Sequence, residues 1–534
     1  MSVFQQERLL FTPTTPDNNA IPAIFAFPNE YTIGITSLGF QIVWATLAMR
    51  SDVDVSRLFT DLNEPLPRNP ELLGFSVSWE LDYINIFELL ESLDIPLHST
   101  QREHHPLVFG GGTVLTANPE PFADFFDVIL LGDGEDLLDE FIDAYQQVRN
   151  ADRSTKLRHL ARVPGVYIPS LYEVTYHSPD GEIKAIAPRY SDIPAQVHKQ
   201  TYRGNTLSTS TVVTEKAAWE NIYMVEVVRS CPEMCRFCLA SYLTLPFRTA
   251  PLESSLIPAI EKGLKVTNRL GLLGASVTQH PEFEAILDYL SQPKYQDVRL
   301  SIASVRTNTV TEKLAATLAN RDTRSITIAV ESGSEKLRQI VNKKLTNEEI
   351  IQAAINAKAG GLKALKLYGM VGIPEETMAD VEETVAMMSA IKKAAPGLRL
   401  TLGCSTFVPK SHTPFQWFGV NPDAKKRLKY LEKNLRKQGI DFRPESYNWS
   451  VIQALISRGD RRLGKLLQLT REYGDSVGSY KRAFKQLRGQ IPSLEYYVHE
   501  CWQRDRILPW QHIQGALPQK TLIKHLDEAM ALKV

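Results

Sequence analysis

Between residues 221 and 420, short apolar runs that suit strands alternate with longer runs that suit helices. Strands are predicted at about 221–228, 270–275, 298–304, 325–331, 364–371 and 399–408. Helical runs such as 314–320, 347–359 and 378–393 separate them. Parallel neighbours need a crossover connection, and helices of this length supply it. Six such units predict a parallel (βα)6 barrel or partial barrel. Barrels of this kind carry their chemistry at the C-terminal ends of the strands.

The first strand is followed by Cys231, Cys235 and Cys238, spaced C-x3-C-x2-C. Thiolates are soft anionic ligands that suit iron–sulfur clusters and zinc. A cubane cluster needs four ligands, so three local thiolates leave one iron open, as a catalytic metal site requires. A structural zinc ion with a distant fourth ligand is the plainer alternative, but zinc sites usually pair C-x2-C with a second nearby half, which this chain lacks. There are five cysteines in 534 residues. The other two, Cys404 and Cys501, cannot form a four-cysteine auxiliary cluster, and the usage fits a reducing compartment. The expected location is the cytoplasm, since no apolar run reaches the length of a membrane span and the first residues lack a signal peptide's pattern.

The length suggests about three domains at ~150 residues each. Residues 1–155 read as α/β, with strands near 74–78, 106–109 and 127–131, the last two ending in Gly110–Gly112 and in the turn Gly132 to Glu135. Strands that end in glycine turns before helices predict a parallel, Rossmann-like sheet with a site at its strand ends. Residues 156–220 read as a β-hairpin and linker, turning at Ser178-Pro-Asp-Gly181. Residues 421–534 read as mostly helical, and their aromatics, Trp449 among them, read as core packing. Sixty basic and 61 acidic residues give a net charge of −1, which does not indicate a nucleic-acid partner.

The motif C-x3-C-x-Phe-C, with Phe237 before the last cysteine, resembles the signature of the radical S-adenosylmethionine (radical SAM) superfamily. The runs 74–80, 106–112, 118–121 and 132–135 resemble the branch with an N-terminal cobalamin-binding-type domain, in a poorly characterised subgroup. The resemblance implies that Cys231, Cys235 and Cys238 hold a [4Fe–4S] cluster whose open iron is chelated by SAM, and that reductive cleavage releases a 5′-deoxyadenosyl radical. It implies that Phe237 lies near the adenine. It implies backbone contacts to SAM from Gly274 and Ala275, and polar contacts from Ser304, Arg306, Glu331 and Ser332. Gly372 and Ile373 would approach the adenine. Lys410 and His412, after the sixth strand, are candidates to bind substrate or act as acid or base.

The expected function is a radical SAM enzyme acting on a substrate that the sequence does not name. A low-potential electron donor, ferredoxin or flavodoxin, is an expected partner. Cobalamin is a further cofactor that the resemblance raises, although Asp-x-His-x-x-Gly, which often supplies a histidine to cobalt, is absent. Two other readings stay open: a cobalamin-dependent radical SAM methyltransferase, and a non-catalytic iron–sulfur scaffold protein. Methylthiotransferases are disfavoured, because their second cluster needs an N-terminal cysteine trio and no cysteine precedes Cys231.

Overall fold

The computed structural model describes residues 2–303 and 305–532. The N-terminal sheet has six strands: β1 (Ile21–Ala26), β2 (Val53–Leu58), β3 (Leu72–Ser76), β4 (Leu107–Gly111), β5 (Val128–Leu130) and β6 (Val166–Tyr167). Their order is 2-1-3-4-5-6, with the first five parallel and β6 antiparallel at the edge. The chain changes direction across the sheet between β1 and β3, so a crevice opens beyond their C-terminal ends. A hairpin follows, β7 (Tyr172–Tyr176) and β8 (Ile183–Pro188), turning at the predicted Ser178–Gly181.

The barrel strands are β9 (Ile222–Glu226), β10 (Arg269–Leu273), β11 (Arg299–Ile302), β12 (Ser325–Glu331), β13 (Ala364–Val371) and β14 (Arg399–Thr406). All six predicted strands are present. They form a three-stranded and a four-stranded parallel sheet, joined by a parallel bridge from Val305 to Ile328. The four-stranded sheet includes a short seventh parallel strand, β15 (Asp441–Pro444), which the sequence reading did not anticipate. In β12, Ile326, Ile328 and Val330 are buried while the residues between them are half-buried, which is the period-two pattern of a strand with one face on a helical layer. Val225, Leu272, Leu300, Ile328, Leu367 and Leu402 join one apolar core beneath that layer.

The C-terminal segment is mostly helical, as predicted, and its helices share the core of the N-terminal sheet. Phe75, Val108 and Ile129 belong to one cluster with Ile452 and Leu455 of the helix Tyr447–Arg458 and Leu466 of Leu463–Glu472. The Tyr83 and Tyr480 hydroxyls meet at 2.7 Å inside it. Polar clasps tie the same parts together. Arg461 donates to Glu120, 2.8 Å away, and Asn118 donates to the carbonyls of Ser457 and Gly459. The glycine turn at 132 serves this assembly. Gly132 has φ +110°, and a Cβ there would fall 2.1 Å from the Gln200 carbonyl oxygen, so only glycine lets the linker run over the sheet edge.

Candidate functional site

The cysteine loop leaves the barrel at the end of β9, where the chemistry of such folds concentrates. Ser230 and Met234 both take left-handed backbone angles, φ 70° and 55°, which fold the loop back after each bend. The Cys238 N–H donates to the Cys235 carbonyl at 2.9 Å. The helix Glu335–Ile340 and the residues after it hold the loop from outside. The Asn342 amide donates to the carbonyls of Glu233 and Met234 at 3.0 and 2.9 Å. The Arg236 guanidinium donates to those of Gln339 and Ile340, both at 2.9 Å. These bonds set the path of the loop.

All three thiols are free; Cys235 is buried, and Cys231 and Cys238 are half-buried. Burial pushes the Cys235 thiol up to about 12, with the Lys343 ammonium pulling the other way, and burial pushes Cys238 up as well. Thiols so placed become good ligands when a metal displaces their protons. Among the described residues no three His, Cys, Asp or Glu side chains converge on a point that would hold one ion. Three thiolates on one loop suit a cubane cluster, in which three irons would take one thiolate each and the fourth would stay open. The other cysteines stand apart from the loop, Cys404 buried in β14 and Cys501 exposed.

Gly274, at the end of β10, has φ +150°, and a Cβ there would lie 2.5 Å from the Val228 carbonyl oxygen, so the turn carries no side chain beside the loop's root. Ser276 follows Ala275 and donates to Gln279 at 2.6 Å, and Cys231 Sγ lies 3.9 Å from the same Gln279 oxygen. Arg306 pairs with Glu233 inside the cysteine loop at 3.1 Å. Glu331, in a left-handed conformation at the end of β12, pairs with Lys343 at 2.8 Å. Strained conformations of this kind gather at functional sites. Gly274, Ala275, Arg306 and Glu331 thus stand around the loop. Ser304 lies outside the described residues.

Other predicted residues lie elsewhere. The buried Ser332 hydroxyl accepts from the Ser334 N–H, and its carbonyl accepts from Arg338. Gly372 faces the helix Ala424–Lys437, and Ile373 is fully buried in an apolar cluster with Tyr242 and Phe407. Met370 is the β13 residue that opens on the loop's side. His412 is buried beside Trp510 and Gly515, away from the main cavity, and burial pushes its imidazole down to about 4. Lys410 does reach the cavity, but its ammonium is held by Glu80 and by Ser457 Oγ. The chain after β14 turns into the contact with the N-terminal sheet, which is why these two polar residues serve that contact.

The cavity itself, of about 950 Å³, has three walls. Phe237, Cys238 and Met370 form the barrel end. Asn29, Trp79 and Asp82 come from the crevice between β1 and β3. Ser446, Trp449, Ser450 and Gln453 come from the start of the helix Tyr447–Arg458. Those four positions recur at three and four residues, so one helical face is turned to the cavity. Sequence reading missed Asp82, Glu233 and Gln279, and it placed Trp449 in the core.

A sequence model described as the radical SAM superfamily matches residues 225–388, and one described as the N-terminal part of radical SAM proteins matches 63–169. This chain belongs to the radical SAM superfamily. An uncharacterized protein of Methanocaldococcus jannaschii is 28% identical, over 85% of this chain and 93% of that one. An uncharacterized methyltransferase of Pyrococcus horikoshii is 22% identical, over 66% and 73%. Among solved structures, the radical SAM methyltransferase TsrM of Kitasatospora setae, with cobalamin and a [4Fe–4S] cluster bound, aligns with a TM-score of 0.49 at 15% identity, over 74% of this chain and 77% of that one. The protein is a radical SAM enzyme, and the family implies a [4Fe–4S] cluster, SAM, a reductant and a substrate.

Proposed function

We propose that Cys231, Cys235 and Cys238 hold the cluster, that SAM binds at the barrel end of the cavity beside Phe237 and Met370, and that the substrate fills the remainder. One observation carries this reading: the cysteine loop, held by the Asn342 amide, lines the cavity of about 950 Å³ through Phe237 and Cys238. When bound, cluster and SAM would supply a 5′-deoxyadenosyl radical for hydrogen abstraction from the substrate. The chain's own residues hold and orient. Gln279 and Glu233 brace the loop on one side and Asn342 on the other. Gly274 lets the β10 end pack directly on the Val228 carbonyl at the loop's root, and backbone contact from this turn to SAM is part of the proposal. Residues after the N-terminal strands and on the C-terminal helix wall the remaining sides of the cavity. Ferredoxin or flavodoxin in the cytoplasm would deliver the electron. Among the described residues no helix is long and apolar enough to cross a membrane.

The test is anaerobic. Protein reconstituted with iron and sulfide is reduced and given SAM, and 5′-deoxyadenosine is measured by mass spectrometry against Cys235→Ala. Deoxyadenosine from the wild type alone supports the reading. A folded, fully loaded wild type that makes none returns the protein to the scaffold reading, in which the cluster is structural.

A second reading, cobalamin-dependent methyl transfer, is favoured by the crevice between β1 and β3, which opens onto the same cavity. A corrin ring there would meet Trp79, Leu81 and Ile84. Stoichiometric retention of hydroxocobalamin after desalting, read by absorbance, adopts this reading. Loss of all colour rejects it.

A further inference from the structure

Two carboxylates sit on one short helical turn, Glu80–Asp82, at the mouth of the crevice. Glu80 is fully partnered. It accepts from Lys410, from Ser457 at 2.6 Å and from Gln453 at 3.0 Å. Asp82 is 6% exposed, yet its side chain has a single donor, the Asn29 amide at 3.4 Å, and among the described residues no cation pairs with it. Burial, with Glu80 nearby, pushes its carboxyl up to about 6. A buried carboxylate without a counter-ion is costly unless something arrives to pair with it.

A second observation points into the same space. Thr406, at the end of β14, is 3% exposed and lines the cavity, and its hydroxyl has no hydrogen-bond partner. Buried hydroxyls are almost always bonded, so an orphan one facing a cavity marks a place for a ligand. Two large rings complete the setting: Trp79 is 50% exposed and Trp449 is 36% exposed, on walls contributed by different parts of the chain. Of the charged side chains that line the cavity, Asp82 and Glu445 are acidic, and the one base, Lys410, is already neutralised by Glu80.

We infer that the substrate is a small molecule with a flat ring and a cationic nitrogen, its nitrogen paired with Asp82 and its ring set against Trp79 and Trp449. The inference rests on reading the cavity as a radical enzyme's chamber. SAM, itself a cation with a flat base, takes the opposite end at Phe237 and Met370. Electron-rich indole faces attract cations and stack on flat rings, so the tryptophans and the carboxylate select the same class. An anionic ring would meet two acids, Asp82 and Glu445, and like charges disfavour the wrong partner.

The experiment uses the reconstituted enzyme saturated with SAM and two fluorescent probes of similar size, 1-naphthylmethylammonium and 1-naphthylacetate. The ammonium probe is expected to bind about tenfold more tightly or better, and Asp82→Asn to abolish that preference. Trp449→Ala is expected to weaken both probes. Equal affinities, preference for the acetate, no binding of either at millimolar concentration, or a preference that survives in Asp82→Asn would each overturn the inference. The preference of the wild type itself is the first readout, so the test does not depend on a variant folding. Deoxyadenosine formation by the same wild-type sample separates the two claims. If it is formed without any charge preference, the substrate class is wrong and the radical reading stands. If none is formed, the radical reading has failed.

Discussion

Arg229, two residues before the first cysteine of the loop, lies 2.7 Å from Glu135 of the N-terminal unit and 2.7 Å from Glu226 at the end of β9. Both carboxylates hold its guanidinium above the usual arginine range, against the opposing pull of burial. Asp133, beside Glu135, is 3.4 Å from Arg229 and 2.6 Å from Arg248. The acidic turn 132–135 therefore anchors the root of the cysteine loop to the N-terminal sheet.

Breaking that anchor takes a partner from Glu135 and Glu226, both half-buried. Arg229→Met is expected to destabilise the protein by about 1–3 kcal/mol, between an exposed pair and a buried one. The loop is expected to take up less iron on reconstitution. Denaturant unfolding and iron analysis check the two effects, and unchanged values for both would contradict the anchoring role.

Asp82 gives a stability effect whose sign follows from its shift. Its folded carboxyl titrates at about 6, above the ordinary 3.8. Between those values the folded state binds more protons than the unfolded one, so Asp82 lowers stability as pH rises through that window. Asp82→Asn is expected to raise Tm near pH 7.5 and to lose that advantage near pH 4. The neighbouring charges, Glu80 and Lys410, are paired with each other and are the same in both proteins. Thermal scans at the two pH values decide it.

Glu80 should respond in the opposite sense. Its carboxyl is held below the usual range; burial alone would raise it, but the Lys410 ammonium and three hydrogen bonds outweigh that. Glu80→Ala strands Lys410 and is expected to cost about 3–5 kcal/mol at neutral pH. The double variant Glu80→Ala with Lys410→Met is expected to regain part of that loss, which a double-mutant cycle measures.

Gly132→Ala forces a side chain into the path of Gln200 at a backbone angle that alanine disfavours. A cost of about 1–3 kcal/mol is expected from the angle alone, and more from the clash. The readout is Tm, with Gly397→Ala as a comparison: that glycine also has a positive φ, but no heavy atom lies within 4 Å of where its Cβ would stand.

The barrel was legible because its signals are local. Each strand from β9 to β14 announces itself by an apolar run between helices, and the cysteine spacing lies within eight residues. Strands β1 and β2 were harder to read, since Pro22 interrupts one and Asp54 and Arg57 the other. Glu331 and Arg306 were placed beside the loop by their strand-end positions. Asp82, Trp449 and Thr406 carry no comparable signal, because their cavity exists only after segments hundreds of residues apart have met. The surroundings of Lys410 and His412 were hidden for the same reason: the chain after β14 turns toward the N-terminal sheet, and Lys410 lines the cavity paired with Glu80 while His412 is buried beside Trp510.

The helix Tyr447–Arg458 that walls the cavity begins roughly two hundred residues after Cys238. During synthesis the cysteine loop therefore leaves the ribosome well before the segment that covers it. Until that helix arrives the chamber lacks one of its walls. The chamber is completed only after the loop that forms its barrel end has been made.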